Sequence, residues 1–174
     1  MDYSLHLTRW HYRHPDWLAA VVAGLAGGAV LMVLELLWGA ATSETGPWRA
    51  SQLIAAIVLG PETLQASAGT FHAGVVGTAL VTHYLLGIAF GVVFGVVATG
   101  FGIDRQMPAT LLFGALFGAL LYVINFYGMV GLFPWFAELR GWAMGIEHVV
   151  FGMVAAVLYA RLERGERARP LTSR

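Results

Sequence analysis

The sequence predicts an all-α membrane protein: a four-transmembrane-helix bundle of two parallel hairpin repeats, with an outer interfacial amphipathic helix. Three observations predict it. Of the 174 residues, 58% are hydrophobic and 11% charged, whereas a soluble domain carries about a quarter charged residues. Four stretches reach the roughly 20 apolar residues that a hydrocarbon core about 30 Å thick requires of a helix. The first and third of these overlay when offset by 90 residues.

Residues 1–17 form a cytoplasmic or interfacial tail. Trp10, His11, Tyr12, Arg13, His14 and Trp17 place rings and positive charge where headgroups lie. The apolar run that follows is too long for the h-region of a signal peptide, so it is expected to span. Residues 18–161 hold the transmembrane domain. Its first span covers 18–41, interrupted by Glu35, and turn residues follow from Thr42 to Pro47. The next loop, about 32 residues long, is long enough to have structure of its own. In it Ala50, Leu53, Ile54, Ile57 and Val58 follow helical spacing, after Trp48 and before Gly60-Pro61. A helix over 48–59 is too short to cross, so it is expected to lie on the outer surface. A partner-facing or re-entrant segment is the alternative.

The second span covers 74–100 with His83 inside, and breakers run from Gly100 to Pro108. The third covers 109–133 with Asn125 inside, and ends at Phe133-Pro134-Trp135-Phe136, which reads as an outer aromatic belt with a turn. The fourth covers 141–160 and contains Glu147 and His148. Residues 162–174 form an Arg-rich cytoplasmic tail suited to anionic lipid. Arg9, Arg13, Arg105, Arg161, Arg164, Arg167, Arg169 and Arg174 fall on one side, and only Arg49 and Arg140 on the other. The positive-inside rule therefore places both termini in the cytoplasm.

Composition also excludes chemistry. There is no Cys, and all ten basic residues are Arg. Disulfides, thiolate ligands, cysteine nucleophiles, a P-loop lysine and a Schiff-base lysine are all absent. Ten acidic residues balance the ten basic ones, so no positive field recruits nucleic acid. Neither a Ser-His-Asp arrangement nor HExxH nor a histidine box is present, so no catalytic residue is assigned.

The repeat is carried by Gly24 to Glu35 against Gly114 to Asn125, with the shared pattern G-x-x-x-G-A-x-L-x-V-[LI]-[EN]. His83-x-x-x-Gly87 and His148-x-x-x-Gly152 give a shorter match between the second and fourth spans. Spans one and three run in the same direction, so the repeat is a parallel one.

On a 3.6-residue helix each intramembrane polar residue shares a face with small residues. His83 aligns with Gly87, Gly91 and Gly95, and His148 with Gly145, Gly152 and Ala156. Glu35 aligns with Gly28 and Gly24, and Asn125 with Gly118 and Gly114. Small-residue stripes are where membrane helices approach closely. Counting from the span ends puts all four polar groups about 9–14 Å below the outer surface, in one layer. Glu147, rotated about 100° from His148, flanks that layer.

Several readings of the layer stay open. A hydrogen-bonded plug that fixes packing has Glu35 accepting from the histidines and Asn125 completing the network. A metal site for zinc, copper or iron would use His83, His148 and Glu35, with Asn125 in support and His72 as an extra ligand near the mouth. Bis-histidine haem b would use His83 and His148. A proton-coupled transport path would titrate Glu35. His6, His11 and His14 lack a carboxylate at ligand spacing.

Val81-Thr82-His83, Gly114-Ala115-Leu116, Gly128 to Leu132, Pro134-Trp135-Phe136 and His148 together resemble the YagU-like small bacterial inner-membrane proteins. The similarity covers roughly 75–160, with an echo near Gly24-Leu25; Asn125 stands where that family has a histidine. The resemblance implies the bacterial inner membrane, no known catalytic activity and a loose link to acid tolerance. The leading expectation is a non-enzymatic membrane protein, an accessory subunit of a larger membrane complex or a homo-oligomer, held in the lipid bilayer.

Overall fold

The computed structural model describes residues 14–65, 69–103 and 106–167, with side chains to residue 163. The aromatic and histidine-rich tail before His14, Arg105 and the arginines after residue 163 lie outside the described residues or side chains. Five α-helices appear: α1 Trp17–Thr42, α2 Arg49–Leu59, α3 Ala73–Gly100, α4 Met107–Val123 and α5 Trp142–Arg167. Four of the resulting segments, 17–42, 73–100, 107–131 and 142–163, are long and apolar enough to cross a membrane. No strand occurs among the described residues.

Local chemistry sets the ends. Asp16 caps α1, its Oδ1 accepting from the Ala19 N–H at 2.9 Å, which satisfies one donor left over in the first turn. Pro108 sits in the first turn of α4, where its missing N–H costs nothing. Gly60, at φ +94, ends α2 in a conformation that side chains avoid.

One departure from the expected spans lies in the third. The α-helix stops at Val123, widens into a π segment over Ile124–Gly128 and closes with a 3-10 turn at Met129–Gly131. The following Pro134–Leu139 is also a 3-10 turn.

Packing order is not sequence order. α1 lies between α3 and α5, and α5 lies between α1 and α4, while α3 and α4 scarcely meet. Glycine makes two of these contacts possible. A Cβ on Gly24 would overlap the Gly87 carbonyl oxygen, and one on Gly91 would sit 2.5 Å from the Ala20 carbonyl oxygen. On the other pair, a Cβ on Gly118 would overlap the His148 carbonyl oxygen, and one on Gly152 that of Gly114. Gly24 with Gly87 and Gly114 with Gly152 are thus the backbone contacts of the α1–α3 and α4–α5 pairs. In lipid, where apolar surface gains nothing by leaving the solvent, such backbone approach is what drives association.

At one end α3 is joined to α4 and α5 by aromatic rings. Phe94, fully buried, stands 5.4 Å from Phe113, 5.5 Å from Phe117 and 6.1 Å from Tyr159. Beneath it the Thr99 and Tyr159 hydroxyls bond at 2.6 Å, and Tyr159 also receives the Asp16 N–H at 3.3 Å. At the other end α2 forms a roof. Its Gln52, Leu53, Ala55 and Ala56 are buried, so its inner side packs on the bundle. Trp135 Nε1 donates to the Leu53 carbonyl at 2.9 Å. Arg49 pairs with Glu138 through contacts of 2.9–3.1 Å.

The glycine contacts give a direct test. Gly152→Val should destabilise the protein by about 1–3 kcal/mol or more, because backbone atoms of α4 occupy the space. Gly77→Val, with nothing within 4 Å of its Cβ position, should melt like the wild type in detergent. Equal melting temperatures for the two variants would contradict this packing.

Candidate functional site

Between α3 and α4, where no glycine contact draws the helices together, lies a cavity of about 320 Å³. Its floor is set by Phe90, Leu121 and Phe151 above the Phe94 cluster, and its roof by Ile54, Ile57, Phe133, Phe136 and Leu139. Leu86 of α3 and Ile124 of the π segment line it and are also exposed, at 41% and 44%. These two residues bound the cavity on the apolar flank of the bundle.

The structure brings Glu35, His83, Asn125 and His148 to this one cavity. Each reaches it from a different helix: α1, α3, the π segment after α4, and α5. The π widening in α4 falls at Asn125, and such insertions are frequent at functional sites. Nothing in the hydropathy pattern signals it.

The four groups do not interlock as a plug. His83 Nε2 donates to the Gly28 carbonyl oxygen at 2.9 Å. His148 Nδ1 donates to the Met144 carbonyl oxygen, one turn earlier, at 3.0 Å. Its Nε2 is thereby left as the acceptor, and Asn125 Nδ2 approaches it at 3.4 Å. Glu35, 9% exposed, makes no hydrogen bond among the described residues. Backbone carbonyls have taken the bonds that side chains were expected to share. A Cβ on Gly28 would lie 3.5 Å from His83 Nε2, so the imidazole packs directly over this glycine.

Glu147 does not line this cavity. It is buried, with one oxygen, Oε2, lacking a partner, and it lines a second cavity of about 290 Å³. That space lies under the connections before α2 and before α5, and it contains Glu35, Arg49, Glu138 and Arg140. Both arginines are engaged. Arg49 holds Glu138, and Arg140 Nε donates to the Phe126 carbonyl at 2.7 Å while its guanidinium stacks 4.4 Å over the Tyr127 ring. Arg140 thus satisfies a carbonyl at the irregular end of α4, where positive charge is favoured. A third cavity of about 250 Å³, between α1, α2 and α3, also reaches Glu35 and His83. Glu35 is common to all three.

The metal reading does not fit this arrangement. Among the described residues no three His, Cys, Asp or Glu side chains are grouped so as to hold a metal ion. His72 is exposed at the start of α3, away from the layer.

The fold defines a polytopic helical membrane protein with a chamber between α3 and α4. Comparison with family models, with curated proteins and with solved structures finds no match.

Elemental analysis by plasma mass spectrometry on gently purified protein should find no stoichiometric zinc, copper or iron. A stoichiometric metal that disappears in the His83→Ala/His148→Ala double variant would overturn the geometric argument.

Proposed function

We propose that this protein is a non-enzymatic membrane protein that binds a molecule dissolved in the bilayer, in the chamber between α3 and α4. One observation carries the reading: the chamber is roofed by α2, floored by aromatic rings and bounded on the apolar flank by the exposed Leu86 and Ile124, which we read as its entrance. Ligand sites are concave and mostly apolar, with a few polar groups that fix orientation, and about 300–1,000 Å³ in size. Glu35, His83, Asn125 and His148 are such polar groups here. They are more useful for orienting a guest than for fastening helices, since all four helices are already held by glycine contacts at other points.

A tryptophan wedge tests this without disturbing the core. Leu86→Trp/Ile124→Trp fills the lateral opening with side chains that start out exposed. Native mass spectrometry on protein released from membranes should show a bound lipophilic adduct on the wild type and its loss in the wedge variant, with unchanged melting. Wild-type protein that carries no adduct, or a variant that keeps it, would defeat the reading.

We further propose that the protein lies in a bacterial inner membrane with both termini cytoplasmic. The support is the arginine asymmetry, together with the position of Arg49 and Arg140 at the roofed end of the bundle, opposite the Asp16–Tyr159–Thr99 cluster. The absence of native Cys makes the test simple. In intact spheroplasts an impermeant maleimide should label Ser43→Cys and leave Gln106→Cys unlabelled until the membrane is opened. The reverse pattern would invert the topology.

A further inference from the structure

Building on the chamber reading, we infer that its occupant is a lipophilic organic cation and that the Glu35 carboxylate supplies the counter-charge. Two acidic side chains are buried at this level, Glu35 at 9% exposure and Glu147 at 6%. Glu35 has no hydrogen-bond or ion-pair partner among the described residues, and Glu147 Oε2 is buried without one. A carboxylate at membrane depth is costly unless something pairs with it. The neighbouring cations among the described residues do not. Arg49 is committed to Glu138 and Gln52, and Arg140 to the Phe126 carbonyl and the Tyr127 ring. The imidazoles facing the chamber give their N–H groups to the carbonyls of Gly28 and Met144. The chamber therefore presents a carboxyl group and other acceptors, and a guest that supplies positive charge is what would satisfy them.

The walls narrow the class. Phe90, Phe126, Phe133, Phe136 and Phe151 line the space, and aromatic faces attract cations. A hard inorganic ion such as Ca²⁺ needs about six to eight oxygen ligands, which this lining does not offer. An anion would meet the Glu35 carboxyl group. A neutral apolar guest would leave Glu35 as it stands, desolvated and unpaired. A cation whose charge is surrounded by hydrocarbon matches both the walls and the carboxylate, and it can arrive through the lateral opening.

The probe is radiolabelled methyltriphenylphosphonium, with its neutral isostere 1,1,1-triphenylethane labelled in a parallel series. The full-length protein is held in lipid nanodiscs, and empty nanodiscs give the background. Saturable binding of the phosphonium is expected. Glu35→Gln, nearly isosteric, should weaken it at least about tenfold, the effect of removing one partner of a buried charge pair. Glu35→Asp, which keeps the charge, should hold affinity within about threefold of wild type. Phosphonium binding that is unchanged in Glu35→Gln would overturn the counter-charge. If only the neutral isostere is retained, and the Leu86→Trp/Ile124→Trp wedge expels it, the cation fails and the chamber reading survives. If neither probe is retained, the cation fails, and the adduct measurement above decides the chamber separately.

Discussion

Backbone-to-backbone contact at glycine is the constraint on which the rest of this structure depends. In a bilayer the helices gain nothing by hiding apolar surface from one another, so the closest packing decides which helices pair. Here the closest packing is spent on two pairs, α1 with α3 at Gly24, Gly87 and Gly91, and α4 with α5 at Gly114, Gly118 and Gly152. α1 and α5 then join, with Gly27 set against Phe151, where a Cβ would lie 3.1 Å from the Phe151 carbonyl oxygen. The outcome is an open row in which α3 and α4 stand at the two ends. Folding the row back brings them near each other, but no glycine face remains to bring their backbones together. Phe94 and its ring partners fill the gap at one end. At the other end no side chain does, and the chamber results.

That sequence of causes explains which parts of the molecule were legible in the residues and which were not. Span positions follow from length and hydropathy, and the helices begin and end within a residue or two of the expected bounds for α1 and α3. The small-residue stripes point to contact faces because a missing Cβ is a local property of a residue. The convergence of Glu35, His83, Asn125 and His148 is readable for the same reason: each lies on its helix's stripe. The partners of these groups were not readable. A hydrogen bond from His83 to Gly28 depends on a carbonyl being bared on a neighbouring helix, and sequence spacing does not encode which carbonyls are bared. The π segment at Asn125 is hidden likewise, because one extra residue in a turn leaves the hydropathy of the span unchanged.

The roof was legible as a helix but not as a roof. Ala50, Leu53, Ile54, Ile57 and Val58 give the helical spacing, and a surface helix at an interface would bury that face in headgroups. In the structure Leu53 is fully buried, Ile54 and Ile57 line the chamber and Val58 is 64% exposed. The apolar face is divided between bundle and bilayer. Two contacts from distant sequence fix the division, Trp135 to the Leu53 carbonyl and Glu138 to Arg49. An exposed ion pair contributes under about 1 kcal/mol, so the indole bond and the apolar packing carry most of the attachment. Phe133-Pro134-Trp135-Phe136, read from sequence as an aromatic belt, therefore has a second use: Trp135 holds the roof from below while Phe133 and Phe136 form part of it.

Glu35 brings these constraints to one point. It stands where the chamber, the polar space under Arg49 and Arg140, and the cleft beside α2 meet. A carboxylate whose only task was to join helices would be expected to bond across to a neighbour, as Thr99 and Tyr159 do at the opposite end with a 2.6 Å contact. The comparison is internal to one protein and one bilayer, and it separates two kinds of buried polar group. The hydroxyl pair is closed on itself and fastens helices. The carboxylate is shielded from bulk solvent yet borders three spaces, with the local guanidinium groups held elsewhere by Glu138, the Phe126 carbonyl and the Tyr127 ring. No hydrogen bond within the described residues offsets its desolvation, and a proton, water in the polar space or a guest in the chamber would each do so. Of these the guest is the one that also accounts for five phenylalanines around the chamber and for its exposed apolar boundary at Leu86 and Ile124.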